Sequence, residues 1–196
     1  HPAPVALRPV IGHLIPDTGY AALDKIIPNT VPAEGAGSLC NFQVSLRPSS
    51  TYNSLYKAQR AEVLMFNSGG SGARPTLDGM NATAFPSGVM TMPIEATEHT
   101  GPIIIWKKEL RPDSGGVGKF RGGLGQLITI GAFEGYEFDV SLMFDRVHNP
   151  PLGRKGGLPG GATVVTKDDG SKLRGKGIQF VEEGRVVEMS LPGGAH

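Results

Sequence analysis

The sequence contains a single cysteine, Cys40, among 196 residues. One cysteine cannot form an intrachain disulfide, and the cysteine and histidine positions lack zinc-finger spacing, which suits a reducing compartment. We expect Cys40 to be a small buried apolar residue rather than a nucleophile. No apolar run approaches the roughly 18 residues that a membrane span needs, and the N-terminus lacks a charged-then-apolar signal pattern. These absences predict a soluble cytoplasmic protein without a membrane partner.

Charge of one dominant sign is also lacking. The chain has 19 lysines and arginines against 18 aspartates and glutamates, a net charge of +1, and no segment concentrates one sign. A nucleic-acid-binding surface needs concentrated positive charge. We therefore expect no nucleic-acid partner.

Complete nucleotide-binding motifs are absent too, although residues 111–126, RPDSGGVGKFRGGLGQ, are rich in glycine. A Walker loop needs Ser or Thr after its Gly-Lys pair, where this chain has Phe120. A dinucleotide fingerprint needs another glycine at Arg121 and then a helix, whereas the following segment has a strand pattern. The serine-nucleophile pattern G-x-S-x-G is missing as well.

Glycine and proline are abundant, with 29 and 16 residues. Disordered chains can have this composition. Here, however, uninterrupted apolar runs such as AEVLMF and FDVSLMF lie between the glycine clusters. The pattern predicts an ordered globular protein with long structured loops.

Short apolar runs bounded by Gly, Pro or Asp-Gly dominate the chain after Ala61 and predict antiparallel strands. They cover residues 61–66, 102–106, 126–133, 136–144, 162–166, 177–181 and 185–191. The pairs Glu134-Gly135, Asp169-Gly170 and Glu183-Gly184 lie where hairpin turns are expected. The predicted fold class is α+β and β-rich, a mainly antiparallel sheet or barrel-like body with long glycine-rich loops and one N-terminal helix.

The first 50 residues have a different pattern. Four prolines in residues 1–16 predict an extended segment, and Asp17 or Thr18 can then cap a helix that Pro28 stops. Its apolar face would consist of Tyr20, Leu23, Ile26 and Ile27.

Residues 38–47 alternate as a half-buried strand does, and residues 48–59 are expected to form an exposed excursion. We predict a helix-bearing segment over residues 1–50 and a β-rich body over 51–196, unless the two form a single domain.

Two interpretations of residues 111–126 remain open. Backbone N–H groups in such a loop can form an anion nest, and Arg111, Lys119 and Arg121 would attract a carboxylate or phosphate there. Alternatively, the glycines permit tight turns and close packing against another chain, with the arginines paired to Asp113 or to carbonyl groups.

Two further clusters carry polar chemistry. In residues 67–88, Arg74 could clamp an anion and Asp78 could order it or bind a metal, or the two could pair and stiffen the loop. In MPIEATEHTGP, Glu95, Glu98 and His99 are close enough for general-base or metal chemistry, but structural or interface roles are more common for so small a set. His1, His13, His148 and His196 have no ligand-spaced partner.

Together, the loop sequences resemble the hydantoinase B/oxoprolinase family, whose relatives include the acetone carboxylase alpha subunit. The resemblance is carried by GGSGARPTLDGMNATAFPSGVMTMPIEATEHTGPI, ELRPDSGGVGKFRGGLGQ, FDRVHNPPLGRKGGLPGG and LPGGAH, in that order. The opening residues HPAPVALRPVIG and the later IPNTVPAEGAG also resemble the family. The match covers nearly the whole chain and corresponds to the C-terminal portion of a longer subunit.

The resemblance implies a component of an ATP-dependent hydrolase of cyclic amides such as hydantoin or 5-oxoproline. Its implied partners are the N-terminal portion of the same subunit and a hydantoinase A-type subunit that uses ATP and magnesium. A divalent metal is implied in that N-terminal portion, with no cofactor in this chain. A non-catalytic assembly module and a carboxylase component are the alternatives.

The family motifs also indicate residues that shape the active region or hold the partner. The candidates are Arg74, Asp78, Glu95, Glu98, Asp113 and Arg121. By this interpretation the chain alone is not a complete catalyst.

Overall fold

The computed structural model describes residues 10–37, 39–50 and 59–196. Two helices are present in these ranges, α1 over Val10–Leu23 and α2 over Ile94–Glu98. Eight strands accompany them: β1 Phe42–Pro48, β2 Ala61–Met65, β3 Ile103–Leu110, β4 Gln126–Ala132, β5 Tyr136–Met143, β6 Val164–Lys167, β7 Lys176–Val181 and β8 Val187–Ser190. The excursion predicted over residues 48–59 lies largely outside the described residues.

The strands form two antiparallel sheets of four strands each, in the orders β2-β1-β5-β7 and β3-β4-β8-β6. Each of the seven apolar runs predicted after residue 61 overlaps one strand, from β2 to β8. The α+β, β-rich prediction is therefore confirmed, and the described strands form two open sheets rather than a closed barrel. The division near residue 50 remains a prediction, and β1 pairs with both β2 and β5 beyond it.

The core lies where the apolar faces of the two sheets meet. Along β1, Phe42, Val44 and Leu46 are almost fully buried, as the alternating pattern predicts, and they share one apolar cluster with residues of the second sheet such as Ile128 and Met189. The rings of Phe42 and Phe144 pack edge to face with centroids 6.2 Å apart. Cys40 is also fully buried, as predicted.

The three predicted hairpin turns have different outcomes. Gly135, Gly170 and Gly184 all have positive φ, as expected. Asp169-Gly170 does reverse the chain locally, because Thr166 bridges to Lys172. The other two predictions are wrong, since β4 and β5, like β7 and β8, belong to different sheets. Those turns carry the chain from one sheet to the other, a distinction that local turn chemistry does not encode.

The predicted start and buried face of the helix are also wrong. Helix α1 begins by Val10 and continues through Pro16, which the sequence assigned to an extended segment. Within α1, the hydroxyl of Thr18 donates a hydrogen bond to the Leu14 carbonyl at 3.1 Å. The buried face consists of His13 and Asp17, whereas Ile26 is 76% exposed. Asp17 is held by a tertiary contact with Arg146, and the helix forms despite the local proline signal.

Outside the sheets, main-chain segments pack directly on one another. We call residues 33–36, 70–73, 121–125 and 192–195 the glycine layer. Its segments exchange main-chain hydrogen bonds, for example from Ala73 N to Ala195 O at 2.8 Å and from Gly123 N to Ser71 O at 2.8 Å. These loops are therefore rigid packed structures and not flexible linkers.

Glycine is required in this layer because no space is left for a side chain. A Cβ added at Gly194 would overlap the carbonyl oxygen of Ser71, and one at Gly70 would overlap that of Gly123. The obstacles are main-chain atoms, which cannot rotate away as a flexible side chain would. The same holds for Gly72 against Ala33.

We expect Gly194→Ala to lower the free energy of unfolding by about 3 kcal/mol or more, because two main-chain segments must separate to admit the methyl group. A urea unfolding curve would measure the loss. The matched control is Gly19→Ala in α1, where a Cβ meets nothing within 4 Å. That variant should be neutral or more stable by up to about 1 kcal/mol. Equal behaviour of the two variants would contradict the packing argument.

Candidate functional site

Three of the predicted site residues meet where residues 67–82 contact residues 111–126. The carboxylate of Asp78 accepts a hydrogen bond from the Arg121 N–H at 2.8 Å. The Arg121 carbonyl in turn accepts from Gly79 N at 2.7 Å. Arg74 lies on the same loop as Asp78 and joins the cluster through it. The structure therefore brings together motif residues that are more than 40 positions apart.

The pairing within this cluster differs from the predicted Arg–Asp ion pair. Arg74 Nε donates to the main-chain oxygen of Asp78 at 2.8 Å, not to its carboxylate. The Asp78 carboxylate instead accepts a hydrogen bond from Arg121 N. The loop is stiffened, as one of the two alternatives predicted, but through main-chain groups, and the guanidinium Nη atoms of Arg74 form no hydrogen bond with the described residues.

The main chain of the second loop is already satisfied. From Arg121 to Gly125, every N–H donates to an acceptor within the chain, including the side chains of Asn81, Ser114 and Asp78. These donors are not free to form an anion nest. Of the two open interpretations, the geometry therefore favours close packing for residues 121–125.

The charged side chains of this loop separate into structural and exposed groups. Arg111 Nη1 donates to the carbonyls of Ala162 at 2.6 Å and Leu191 at 3.2 Å, and burial lowers the pKa of its guanidinium. Asp113 is exposed, has φ of 54° and forms no ion pair with an arginine among the described residues. Arg121 is likewise exposed. Arg111 is thus a structural residue, and Asp113 and Arg121 present charge to solvent.

Glu95 and Glu98 lie on α2, away from the loop cluster. Glu98 accepts a hydrogen bond from Ile105 N at 2.8 Å, next to the irregular pairing of β3 with β4. Glu95 and His99 are exposed. In the described ranges no set of three or more His, Cys, Asp or Glu side chains is placed to hold a metal ion. The contact of Glu98 is structural.

A buried ionic network, which the sequence did not reveal, joins α1 to the segment after β5. Arg146 donates to Glu34 at 2.9 Å and to Asp17 at 3.2 Å, and its side chain is only 8% exposed. It also donates to the main-chain oxygens of Gly35 and Ala36. Since these partners are more than 100 positions away in the chain, no local spacing could predict them. The network anchors residues 33–36 of the glycine layer.

Asp17 is the titrating member of this network. Burial raises the pKa of its carboxyl group to about 6, and the neighbouring Arg146 opposes that rise. His13, one helical turn earlier, is also buried, and burial lowers its pKa. The folded state therefore holds the proton of Asp17 more tightly than the unfolded chain does.

The family assignment follows from comparison with known proteins. The family model described as hydantoinase B/oxoprolinase matches residues 1–195. The chain belongs to this family, which confirms the resemblance seen in the loop motifs. The loop cluster and the glycine layer are built from those same motifs.

The curated relatives of this chain are longer proteins. An uncharacterized protein of Methanocaldococcus jannaschii is 34% identical over 98% of this chain and 33% of its own length. The 5-oxoprolinase 1 of Arabidopsis thaliana is 34% identical over 64% of the chain and 10% of its own length. A putative B-type subunit of a D-/L-hydantoinase from a Pseudomonas species is 29% identical over 71% and 22%. The chain thus spans a third or less of these relatives.

Solved structures share the fold. The ATP-dependent caprolactamase from Pseudomonas jessenii superposes with a TM-score of 0.70 at 23% identity, over 89% of this chain and 31% of that one. A nucleotide-free acetone carboxylase structure gives a TM-score of 0.61 at 16% identity, over 84% of this chain and 26% of that one.

Within the described residues, no helix is both long and apolar enough to cross a membrane.

We expect Asp17→Asn to gain stability relative to the wild type as pH rises. Protonated Asp17 favours the folded state, and that contribution is lost between the unfolded pKa of about 4 and the folded value of about 6. Asparagine does not titrate, so the variant lacks this loss. Urea unfolding of both proteins at several pH values from 4 to 8 would measure the difference. A variant that instead loses relative stability across this range would show that the carboxyl pKa is lowered.

Proposed function

We propose that this chain is part of the B-type component of an ATP-dependent enzyme that opens cyclic amides of the hydantoin or 5-oxoproline kind. The observation that carries the proposal is the family match over residues 1–195. Two relatives, one named as a 5-oxoprolinase and one as a hydantoinase component, support the substrate class. Because the chain spans a third or less of these relatives, the activity is assigned to the assembly.

In this proposal the work is divided among several parts. A hydantoinase A-type partner uses ATP and magnesium to activate the substrate, and a part of the subunit outside this chain holds a divalent metal. The Pseudomonas relative is named as one subunit of a hydantoinase, which supports a multi-subunit enzyme. The packed loops of this chain would form a rigid wall of the reaction site.

The exposed charges of the loop cluster suit that role. Arg121 and the Nη atoms of Arg74 carry positive charge on segments that main-chain hydrogen bonds hold in place. Guanidinium groups bind carboxylate and phosphate oxygens in a paired geometry. An activated amide carries developing negative charge on oxygen, and preorganised cations stabilise such charge without reorganisation.

A second candidate function, a non-catalytic assembly module, is favoured by the closed hydrogen bonding of residues 121–125. Loops whose main-chain hydrogen-bonding groups are already paired within the chain can serve purely as a binding surface for another chain. If the chain forms part of the reaction site, the exposed charges contribute to turnover. If it is an assembly module, they contribute to complex formation. Variants of those charges therefore separate the two.

We expect Arg121→Ala to lower kcat/KM at least about ten-fold, equivalent to about 1.4 kcal/mol of transition-state stabilisation, because the variant lacks the cation that would stabilise the developing negative charge. The Arg121 side chain forms no hydrogen bond or ion pair with the described residues, so the fold should persist. The assay would follow hydrolysis of hydantoin and 5-oxoproline with ATP, using the complete subunit and its hydantoinase A-type partner.

Arg174→Ala is the matched control, because Arg174 is an exposed arginine outside the loop cluster. It should leave turnover unchanged. Size-exclusion chromatography of each variant would report the complex. Loss of the complex, with normal turnover in whatever complex remains, would support the assembly module instead. Turnover that consumes bicarbonate would identify a carboxylase.

A further inference from the structure

A cavity of about 700 Å³ lies between three segments that follow β5 in the chain. The segments are residues 144–149, 163–165 and 172–176, and the described residues that line the cavity belong neither to the loop cluster nor to the glycine layer. Small-molecule sites commonly have volumes of about 300 to 1,000 Å³. The cavity is therefore large enough for an organic ligand, at a place that the proposed function does not use.

The walls of this cavity are fixed by main-chain hydrogen bonds. Each pair of segments is joined by one such bond, from Phe144 N to Gly175 O at 2.7 Å, from Thr163 N to Arg146 O at 3.0 Å, and from Leu173 N to Val165 O at 2.9 Å. The cavity is consequently preformed, and a ligand need not order its walls on binding.

The deeper part of the lining is apolar. Phe144 and Val165 belong to the shared core of the two sheets and are only 0% and 4% exposed. Val147 and Leu173 also line the cavity and pack against that core. An apolar group that enters the cavity would be removed from water, which favours its binding.

The charged part of the lining is basic. Lysines and arginines outnumber acidic residues there, since Asp145 is the one acidic side chain among the described lining residues. The Asp145 carboxylate already pairs with Lys176 at 2.7 Å. Lys172 is exposed, and its side chain forms no hydrogen bond or ion pair with the described residues. The cavity thus has an excess of positive charge, which attracts anions.

We propose that this cavity binds a small organic anion, in which a carboxylate or phosphate group is carried on an apolar body. The apolar body contacts Phe144 and Val165, and the anionic group pairs with Lys172. A neutral apolar molecule would leave the cation unpaired, and a small inorganic anion would leave the apolar lining uncovered. The proposal goes beyond the proposed function, because it requires neither ATP nor a cyclic amide.

The test uses phenylbutyrate as the probe and isothermal titration calorimetry of the complete subunit, without ATP. We expect saturable binding at one site. Acetate lacks the apolar body and phenylbutanol lacks the anion, so each should bind at least about ten-fold more weakly. Phenylbutyl phosphate distinguishes the two anionic groups, because tighter binding than phenylbutyrate would identify a phosphate ligand.

Lys172→Glu locates the site, because it replaces the unpaired cation by a carboxylate. We expect the Kd for phenylbutyrate to rise at least about ten-fold. Thermal unfolding without the probe should match the wild type, since the Lys172 side chain is exposed. Lys25→Glu is the matched control, because Lys25 is an exposed lysine outside the cavity, and it should bind phenylbutyrate as the wild type does.

Three results would overturn the proposal. They are failure of both phenylbutyrate and phenylbutyl phosphate to bind, equal binding of acetate or phenylbutanol, and equal effects of Lys172→Glu and Lys25→Glu. Turnover distinguishes this proposal from the proposed function. Anion binding by an assembly that hydrolyses no cyclic amide would refute the proposed function and support the cavity site, whereas hydrolysis without anion binding would do the reverse.

Discussion

The structure depends on direct contact between main-chain segments that only glycine permits. Gly70, Gly72 and Gly194 lie against carbonyl oxygens of other segments, so the hydrogen-bonding groups of each loop are satisfied by the next loop. A loop ordered in this way loses conformational freedom on folding, and glycine loses more than any other residue. The network of main-chain hydrogen bonds and the two sheets beneath it offset that cost.

The two sheets provide the platform for this layer. Their buried faces share one apolar core, and the glycine-rich segments lie in the chain between β2 and β3, between β3 and β4, and after β8. Because those segments adjoin elements fixed by the core, the loops meet at one place. Arg146 adds a second anchor, since it binds Asp17, Glu34 and the main chain of residues 35–36. The position of the candidate site is thus set by packing at a distance from it.

The charged residues of the loop cluster fall into two groups, those whose side chains bind main-chain groups and those whose side chains do not. Asp78 and Arg111 use their hydrogen-bonding capacity on main-chain groups, whereas Asp113 and Arg121 do not. This division gives the family motifs two kinds of member, those that hold the loops and those that are exposed.

The sequence by itself determined the strands, the buried alternation of β1, the glycine-rich loops and the family, because short-range patterns of apolar residues and motif order carry that information. It could not determine which strands share a sheet, so Glu134-Gly135 has the sequence of a hairpin turn although it connects two sheets. It also gave no sign of α1 before Asp17 or of the Asp17–Arg146–Glu34 network. Those features depend on contacts between residues far apart in the chain, and the energy of such contacts exists only once the two sheets have brought them together.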